Sequence, residues 1–312
     1  MVLSKYLGRL LGLLSVALLS ACASVAPGPT SPEVPAAPAV VAPPEAPVVL
    51  TRPPRLGLAL GGGAARGFAH IGVIQELERA GIRPDVVTGT SAGSLVAALY
   101  ASGMPGAELE RVAMQMQEAE ITDWSLPILG RGLLRGDALA RYVRRTIEGK
   151  LIEDMKIPLG VLATDLQSGR GVLFRRGDTA TAVRASSAVP GVFSPVRIGD
   201  ADYVDGGLVA PVPVRQAREM GAELVLAVDI SSAPEGNPAS GGLQILLQTF
   251  AIMGQSINRH ELATADLVVR PALNGVGGAD FSARQRAIEA GRQAMRAALP
   301  TLVGGLAQRR PL

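Results

Sequence analysis

The chain has 312 residues, of which 48% are hydrophobic and 18% charged, which is enough to bury the core of one large domain or two small ones. Aromatic residues make up only 3%, and the net charge of +3 falls to +1 without residues 1–21, so the composition does not favour a nucleic-acid-binding protein. Cys22 is the only cysteine, which excludes a disulfide framework and a cysteine-based metal site, and two histidines leave little room for a histidine-rich one.

The first 21 residues have the pattern of a secretory signal. Lys5 and Arg9 precede an apolar run at 10–19, which ends in small residues. This run is shorter than the ~20 residues that a membrane-spanning helix needs. The sequence therefore predicts a cleaved signal over residues 1–21.

The run Leu19-Ser20-Ala21-Cys22 resembles the bacterial lipobox. The resemblance implies cleavage before Cys22 and lipidation of that cysteine, which would anchor the protein to a membrane. A plain signal peptide followed by a chance cysteine is the alternative. Because Ala23 rather than an aspartate follows the cysteine, the resemblance also implies an outer-membrane location facing the periplasm.

A proline-rich segment follows the cysteine. Residues 23–54 contain ten prolines and only three charged side chains. Proline removes backbone donors and favours extended polyproline II, so residues 22–54 are predicted to be a semi-rigid tether without a core. A proline-rich ligand for a partner protein is the alternative. The folded domain is then expected at 55–312, with its motifs at about 56–230 and an α/β extension at 231–312.

From residue 55 onwards, apolar runs alternate with amphipathic segments. Such alternation is typical of an α/β domain with a mostly parallel sheet. No internal repeat is found. Strands are predicted at 56–60, 85–88, 159–163, 171–174, 224–228 and 267–270, and helices at 66–80, 94–101, 137–149, 178–187, 213–220, 243–262 and 284–297.

A Gly-x-Ser-x-Gly sequence lies between the second predicted strand and the helix after it. Gly89 and Gly93 flank Ser91, and this pattern at a strand-to-helix turn is typical of a nucleophile elbow. The turn projects the serine hydroxyl above the sheet, and the following helix N-terminus favours a developing negative charge. Ser91 is therefore the candidate nucleophile.

A glycine-rich loop, Gly61–Gly67 in sequence GGGAARG, follows the first predicted strand. Its backbone N–H groups can face an anion. A dinucleotide phosphate does not fit, because Arg66 stands where the third glycine of that motif belongs, and Thr88 ends the second strand instead of an acid. An oxyanion hole for Ser91 fits better. The candidate donors are the N–H groups of Gly61, Gly62, Gly63 and Ala64.

A serine nucleophile needs a base, and Asp205 is the candidate. It precedes Gly206 and Gly207, which allow the chain to turn sharply and leave the carboxylate accessible. Alone, this tripeptide would be interpreted as a surface turn.

Together the three motifs resemble the ordered signatures of the patatin-like phospholipases. The resemblance covers roughly residues 56–230 and includes the stretches 68–74, 163–166 and 185–191. It implies a three-layer α/β/α fold and an acyl hydrolase in which Ser91 and Asp205 form a dyad without histidine, metal or cofactor. Arg66, Gly67, Gly89, Gly93, Gly206 and Gly207 would support these motifs.

One residue departs from the family pattern. Ala64 stands at the family's second loop glycine, and N–H donation survives this change if φ at Ala64 is negative, as we expect. Which amides form the oxyanion hole is left open by the sequence.

Other residues have simpler interpretations. His260 would complete an α/β-hydrolase triad, but too few residues precede Ser91 for that fold, so a surface helical histidine is favoured. His70 is expected to support the glycine loop. Arg66 is compatible with loop support, a phosphate headgroup contact or a helix N-terminal charge. Asp165 and Asp229 are expected to be turn residues. An apolar cluster over 104–134 is predicted to be either a flap over an acyl pocket or ordinary core.

The sequence favours a membrane-anchored serine hydrolase that cleaves fatty-acyl esters of phospholipids or lysophospholipids. A general carboxylesterase or thioesterase is one alternative, and a non-catalytic lipid-binding envelope lipoprotein is another. No nucleic-acid partner is expected, and the oligomeric state is not predicted.

Overall fold

The structure is a computed structural model, which describes residues 51–121, 123, 132–234, 241–308 and 310–311. The predicted signal, Cys22 and most of the predicted tether lie outside the described residues. The tether was predicted to reach residue 54, but Thr51–Arg52 already pair with Arg310–Pro311, and Arg52 forms an ion pair with Glu223 at 2.6 Å. The folded unit therefore includes at least residues 51–54.

The described residues form ten strands and eight α-helices. The strands are β1 Thr51–Arg52, β2 Leu56–Leu60, β3 Val86–Thr90, β4 Leu159–Asp165, β5 Gly171–Phe174, β6 Val196–Ile198, β7 Ala201–Asp205, β8 Leu224–Val228, β9 Leu267–Val269 and β10 Arg310–Pro311. The helices are α1 Ala69–Arg79, α2 Ala92–Ala101, α3 Gly106–Gln115, α4 Asp137–Thr146, α5 Thr179–Ser186, α6 Val214–Glu219, α7 Gly242–Leu262 and α8 Arg284–Leu306.

The central sheet has the strand order β6-β7-β4-β3-β2-β8-β9, and β5 pairs with β4. Pairing is parallel from β4 through β3, β2 and β8 to β9, as expected for strands joined by crossover helices. The hairpin β6–β7 and strand β5 are antiparallel to their neighbours. The predicted α/β class with a mostly parallel sheet is confirmed.

The sheet is covered on both faces, as the predicted three-layer arrangement requires. Alternate residues of β2 show this: Leu56, Leu58 and Leu60 belong to the large cluster formed with α1, α2 and α8. Ala59 belongs to a smaller cluster with α6 and the end of α7. Burial on both faces explains the continuous apolar runs in the sequence.

Helices α1 and α8 touch through their backbones. A Cβ added at Gly72 would overlap the carbonyl oxygen of Ile288, and one at Gly291 would overlap that of Ala69. Beside this contact, the buried carboxylate of Glu76 accepts from Arg296 of α8. We call the contact between α1 and α8 the α1–α8 seam. The predicted 231–312 extension is thus an integral part of the domain.

Several elements differ from prediction. Residues 64–68 form a 3-10 helix before α1, so the predicted helix at 66–80 begins later. Helix α3 and the hairpin β6–β7 were not predicted, because short segments with mixed polarity have no clear period. Helix α8 continues past the predicted end, through Pro300.

Candidate active site

Ser91 lies at the sharp turn between β3 and α2. Its φ of 53° and ψ of −125° are unfavourable for a residue with a side chain, as a strained elbow requires. A Cβ at Gly89 would lie 2.5 Å from the Gly93 carbonyl oxygen, and one at Gly93 would overlap the carbonyl of Leu60. The two glycines therefore let α2 approach the strand ends closely.

Buried hydroxyl groups hold the elbow in place. The Ser91 N–H donates to Ser186 Oγ at 2.9 Å, and that hydroxyl donates to the Leu162 carbonyl at 2.6 Å. Ser94 Oγ donates to the Ser91 carbonyl at 2.6 Å. Ser186 lies within a stretch that the resemblance singled out, but sequence reasoning gave it no role. Its bridging position links the elbow to β4.

Strand β4 aligns Ser91 with Asp205. Thr90, the last residue of β3, pairs with Leu162, and Asp205, the last residue of β7, pairs with Ala163. Ser91, which comes directly after Thr90, and Asp205 are therefore positioned by two adjacent residues of β4, Leu162 and Ala163. Asp205 is further fixed by its own N–H, which donates to the Ala188 carbonyl at 3.0 Å.

The Asp205 carboxylate is buried with an incomplete set of partners. Oδ1 accepts from the Gly207 N–H at 2.7 Å, whereas Oδ2 has no hydrogen-bond partner among the described residues. Burial raises the pKa of Asp205 to about 6, although the nearby Ser91 hydroxyl and the Gly207 N–H favour the charged form. Near neutral pH the carboxylate is therefore mostly charged and has one oxygen available for a proton.

The glycine loop has two occupied and two available amides. The Gly61 N–H donates to the Val228 carbonyl at 3.1 Å and the Gly62 N–H to the Pro211 carbonyl at 2.9 Å. No hydrogen bond between described residues uses the N–H groups of Gly63 and Ala64. The predicted set of four oxyanion donors therefore narrows to these two.

The expectation for Ala64 is wrong. Its φ is +49°, in the left-handed region that favours glycine, and not negative. The loop therefore keeps a glycine-like conformation with an alanine in it, at a cost of roughly 1–2 kcal/mol. Ala64 is exposed and begins the 3-10 helix, so its methyl group has space.

His70 is fully buried behind the loop. Its Nε2 lies 2.8 Å from the Gly61 carbonyl oxygen, and its Nδ1 has no partner among the described residues. Burial lowers the pKa of His70 to about 4, against the opposing effects of that contact and of Asp229. The ring is therefore neutral at pH 7 and donates through Nε2, which agrees with the predicted loop-supporting role.

Arg66 lines the same cavity as Ser91 and Asp205. Its Nε is buried without a partner among the described residues, and burial lowers the pKa of the guanidinium, against the influence of Asp229. A cation that faces a cavity in this way can contact an anionic group of a ligand or brace the loop, and both interpretations remain compatible with the geometry.

Two cavities meet at Ser91. The first has a volume of about 250 Å³, contains Asp205 and Gly63 in its wall, and is bounded on one side by α7 through Leu247, Phe250 and Met253. The second has a volume of about 310 Å³. Its lining is mainly apolar and includes Phe68, Leu95, Leu99, Leu109, Met116 and Phe281. The mainly apolar cavity beside Ser91 therefore has room for an apolar group.

The second cavity bears on the predicted apolar cluster over 104–134. Leu109 and Met116 line it, and Leu109 is also core. Met114 is exposed. Met104 packs against the core, Leu134 is buried and Leu133 is exposed. The other members of the predicted cluster, Trp124, Leu126, Ile128 and Leu129, lie outside the described residues.

The remaining candidates fall outside the site. His260 is exposed on α7 and lines neither cavity, as the surface-histidine interpretation predicted. Asp165 accepts from the N–H groups of Gln167 and Ser168, and Asp229 accepts from that of Ser231, so both are turn residues. Within the described ranges, no cluster of three or more His, Cys, Asp or Glu residues could hold a metal ion.

Comparisons with known proteins relate the site to one family. A family model described as patatin-like phospholipase matches residues 58–218, about half of the chain, including all three motifs. An uncharacterized NTE family protein of Mycobacterium tuberculosis H37Rv is 36% identical over 184 residues, which cover 59% of this chain and 51% of the relative. Patatin-like phospholipase domain-containing protein 6 of Mus musculus is 32% identical over 195 residues, 60% of this chain and 14% of the mouse protein.

A second mycobacterial NTE family protein, from strain CDC 1551, is 31% identical over 274 residues, 78% of this chain and 46% of the relative. The chain thus spans about half the length of these mycobacterial relatives. Among solved structures, VipD of Legionella pneumophila has a TM-score of 0.55 at 16% identity, covering 80% of this chain and 68% of VipD. This likeness concerns the fold alone.

Proposed function

The chain belongs to the patatin-like phospholipase family, and on this premise we propose that it cleaves fatty-acyl esters of phospholipids or lysophospholipids with Ser91 and Asp205. The observation that carries the proposal is the buried Asp205 carboxylate, which has an unpartnered oxygen and a raised pKa next to a serine on a strained elbow. The two cavities that meet at Ser91 suit an apolar acyl ester.

In the first half-reaction, Ser91 Oγ attacks the ester carbonyl carbon and its proton moves to Asp205. The negative charge that develops on the carbonyl oxygen is stabilised by the N–H groups of Gly63 and Ala64 and by the N-terminus of α2. The tetrahedral intermediate then breaks its bond to the alcohol. The departing alkoxide takes the proton from Asp205, which leaves the acyl group on Ser91.

In the second half-reaction, water attacks the acyl-enzyme. Asp205 accepts the proton of the water, the same amides stabilise the second oxyanion, and the Ser91 oxygen leaves with that proton. The fatty acid is released and the dyad returns to its starting state. Because Asp205 must begin each half-reaction deprotonated, kcat/KM should rise with pH through about 6, the pKa of this carboxylate.

The test compares wild type with Ser91→Ala and Asp205→Ala, using fatty-acid release from phospholipid and lysophospholipid micelles without added metal. Both variants should lose at least about 10³-fold in rate, whereas the control His260→Ala should stay within a few-fold. A large loss in the His260 variant with the fold intact would contradict the dyad. No release by wild type and no fluorophosphonate labelling of Ser91 would favour a non-catalytic lipid-binding protein. Cleavage of short esters alone would favour a general carboxylesterase.

For localisation, we propose a lipid anchor at Cys22, facing the periplasm from the outer membrane. The support is the sequence pattern: a basic start, a ten-residue apolar run and the only cysteine of the chain directly after Leu19-Ser20-Ala21. Metabolic labelling with an alkyne fatty acid, followed by membrane fractionation, tests it. Label on wild type and none on Cys22→Ala is the expected result. Equal labelling of both would contradict the anchor.

A further inference from the structure

Helix α7 concentrates the exposed apolar side chains of the domain. Among the described residues, eleven large hydrophobic side chains are exposed, and six of them belong to residues 243–253. The other five are dispersed over separate elements. Isolated exposed hydrophobic residues are ordinary, but a contiguous group marks an interaction site.

The same helix lacks charge over most of its length. No acidic or basic residue occurs from Gly241 to Asn258, and the first charged residue is Arg259 in the last turn. Surface helices of soluble domains usually present charged side chains to water, so this segment is unsuited to full hydration. Because this segment carries no charge, it also offers nothing that a partner of opposite charge could attract. An uncharged apolar partner fits this composition.

The helix has an inner and an outer apolar face. Leu247, Phe250 and Met253 form the wall of the first cavity, next to Ser91. Ile245 and Ile252 do not line it. They are seven residues apart, which is two helical turns and therefore one face, and each is 54% exposed. Leu247 and Met253 line this cavity and are also exposed, so the apolar surface continues around the helix from the outside to the cavity that contains Ser91.

We propose that this outer face, Ile245 and Ile252 on α7, docks on the hydrocarbon surface of a lipid aggregate. The inference rests on the proposed function, because an insoluble acyl ester must pass from an aggregate to Ser91. A lipid surface against this face would lie next to the cavity wall. The acyl chain of a lipid could then move around α7 into the cavity without crossing water.

The helix lies in the interface and does not span the bilayer. Within the described residues no helix has both the length and the apolar composition needed to cross a membrane. An amphipathic helix in this position sinks to about the boundary of headgroups and acyl chains. Because α7 has no charge in its first 17 residues, its insertion should depend little on ionic strength.

The primary test uses the fact that the chain has only one native cysteine, which can be replaced so that an introduced cysteine is labelled alone. In full-length protein with Cys22→Ser, a second substitution, Ile252→Cys, provides one site for an environment-sensitive fluorophore. The matched control is Val303→Cys, since Val303 is similarly exposed, at 52%, but belongs to α8. Vesicles of an ether-linked phosphatidylcholine, which has no fatty-acyl ester to cleave, supply the lipid surface. Circular dichroism verifies that each labelled protein is folded, and Ile245→Cys is a second labelling site.

At position 252 we expect a blue-shifted emission on addition of vesicles and quenching by lipids with a nitroxide in the acyl chain. At position 303 we expect neither. Equal behaviour at the two positions overturns the proposal. A blue shift that appears with rising protein concentration, without vesicles and without nitroxide quenching, would assign the face to a second copy of the chain and also overturn it.

A second measurement separates docking from catalysis. The double variant I245Q/I252Q should lose about tenfold or more in hydrolysis of vesicle phospholipid relative to hydrolysis of a monomeric short-chain ester, because two apolar side chains no longer enter the lipid. V303Q should leave this ratio unchanged. If wild type hydrolyses neither substrate, the proposed function fails, whereas the fluorophore result still decides the docking proposal. An unchanged ratio in I245Q/I252Q contradicts docking.

Discussion

Glu76 and Asp205 are both buried carboxylates, 3% and 7% exposed, but their pKa values shift in opposite directions. Burial alone raises the pKa of either group. For Glu76 the guanidinium groups of Arg296 and Arg79 more than offset this, and its pKa lies below the ordinary value. Among the residues that the structure describes, no cation opposes the effect at Asp205, and its pKa rises to about 6.

The opposite pKa shifts distinguish the α1–α8 seam, which stabilises the fold, from the candidate active site. At the α1–α8 seam, the carboxylate has two cationic partners and the backbones touch through glycine. At the candidate site, the carboxylate lacks a partner on one oxygen, and Ser91 and Ala64 adopt unfavourable φ values. Such features cost stability and are typical of active sites. We therefore expect substitutions at the α1–α8 seam to lower the free energy of unfolding of the protein and substitutions at the candidate site to raise it.

The largest effect is expected at the seam. Gly291→Ala places a methyl group inside the carbonyl of Ala69, and because this obstacle is backbone the helices must separate. We expect a loss of at least about 3 kcal/mol in the free energy of unfolding, measured by urea denaturation.

Gly304→Ala is the control on the same helix, since nothing lies within 4 Å of a Cβ there. It should gain roughly 0.5–1 kcal/mol from helix propensity. Equal effects of the two substitutions would contradict the close backbone contact.

The next effect has the opposite sign. Asp205→Asn removes a buried charge, so it should stabilise the protein while activity is lost. Because the folded pKa is raised to about 6, wild type loses stability as pH rises from about 4 to 6 and stays at the lower value above. The variant should therefore be about 3 kcal/mol more stable at pH 8 and about equal at pH 4.

Thermal melts of both proteins across this pH range measure the effect. Asp165→Asn is the control, since Asp165 accepts from two backbone N–H groups and its pKa is lowered. A gain at pH 8 in this control as well would show that the effect does not belong to the buried carboxylate.

A smaller loss is expected from Glu76→Gln, which keeps the shape but removes the charge that Arg296 and Arg79 contact. The cost should be about 1–2 kcal/mol at pH 7. Because the folded pKa of Glu76 is lowered, its contribution exists above the unfolded pKa and disappears as pH falls through the folded one. Denaturation at pH 7 and pH 3 should therefore show a difference that shrinks in acid; a constant difference would argue against the ion pairs.

The smallest effect is expected at Ala64. Ala64→Gly relieves the positive φ, and glycine's greater freedom in the unfolded chain opposes part of this gain. We expect a stabilisation of at most about 1 kcal/mol with ester hydrolysis retained, measured by differential scanning calorimetry and initial rates. A clear loss of stability would mean that the methyl group contributes packing.

The sequence was sufficient to predict the features that depend on residues adjacent in the chain. The apolar run of β2 and the glycines around Ser91 predict a buried strand and an elbow, because both follow from neighbouring residues. Asp205 was predicted from a turn motif, but it ends strand β7. That strand was not predicted, because its pairing with β4 joins residues some forty positions apart in the sequence.

The glycine loop shows what the sequence alone could not predict. Gly61 and Gly62 look equivalent to Gly63 in the sequence, but their N–H groups are occupied by the carbonyls of Val228 and Pro211, far along the chain. The positioning role of Ser186 is hidden for the same reason: its partners, Ser91 and Leu162, come together only in the folded sheet.

The alignment of Thr90 and Asp205 with adjacent residues of β4 has a consequence for how members of this family can vary. Register changes only in whole residues, and a one-residue slip reverses which face every side chain of a strand occupies. The spacing of Ser91 and Asp205 therefore cannot change by small steps. The cavity walls and α7 are less constrained, because their side chains can change size one at a time while Ser91 and Asp205 keep their positions.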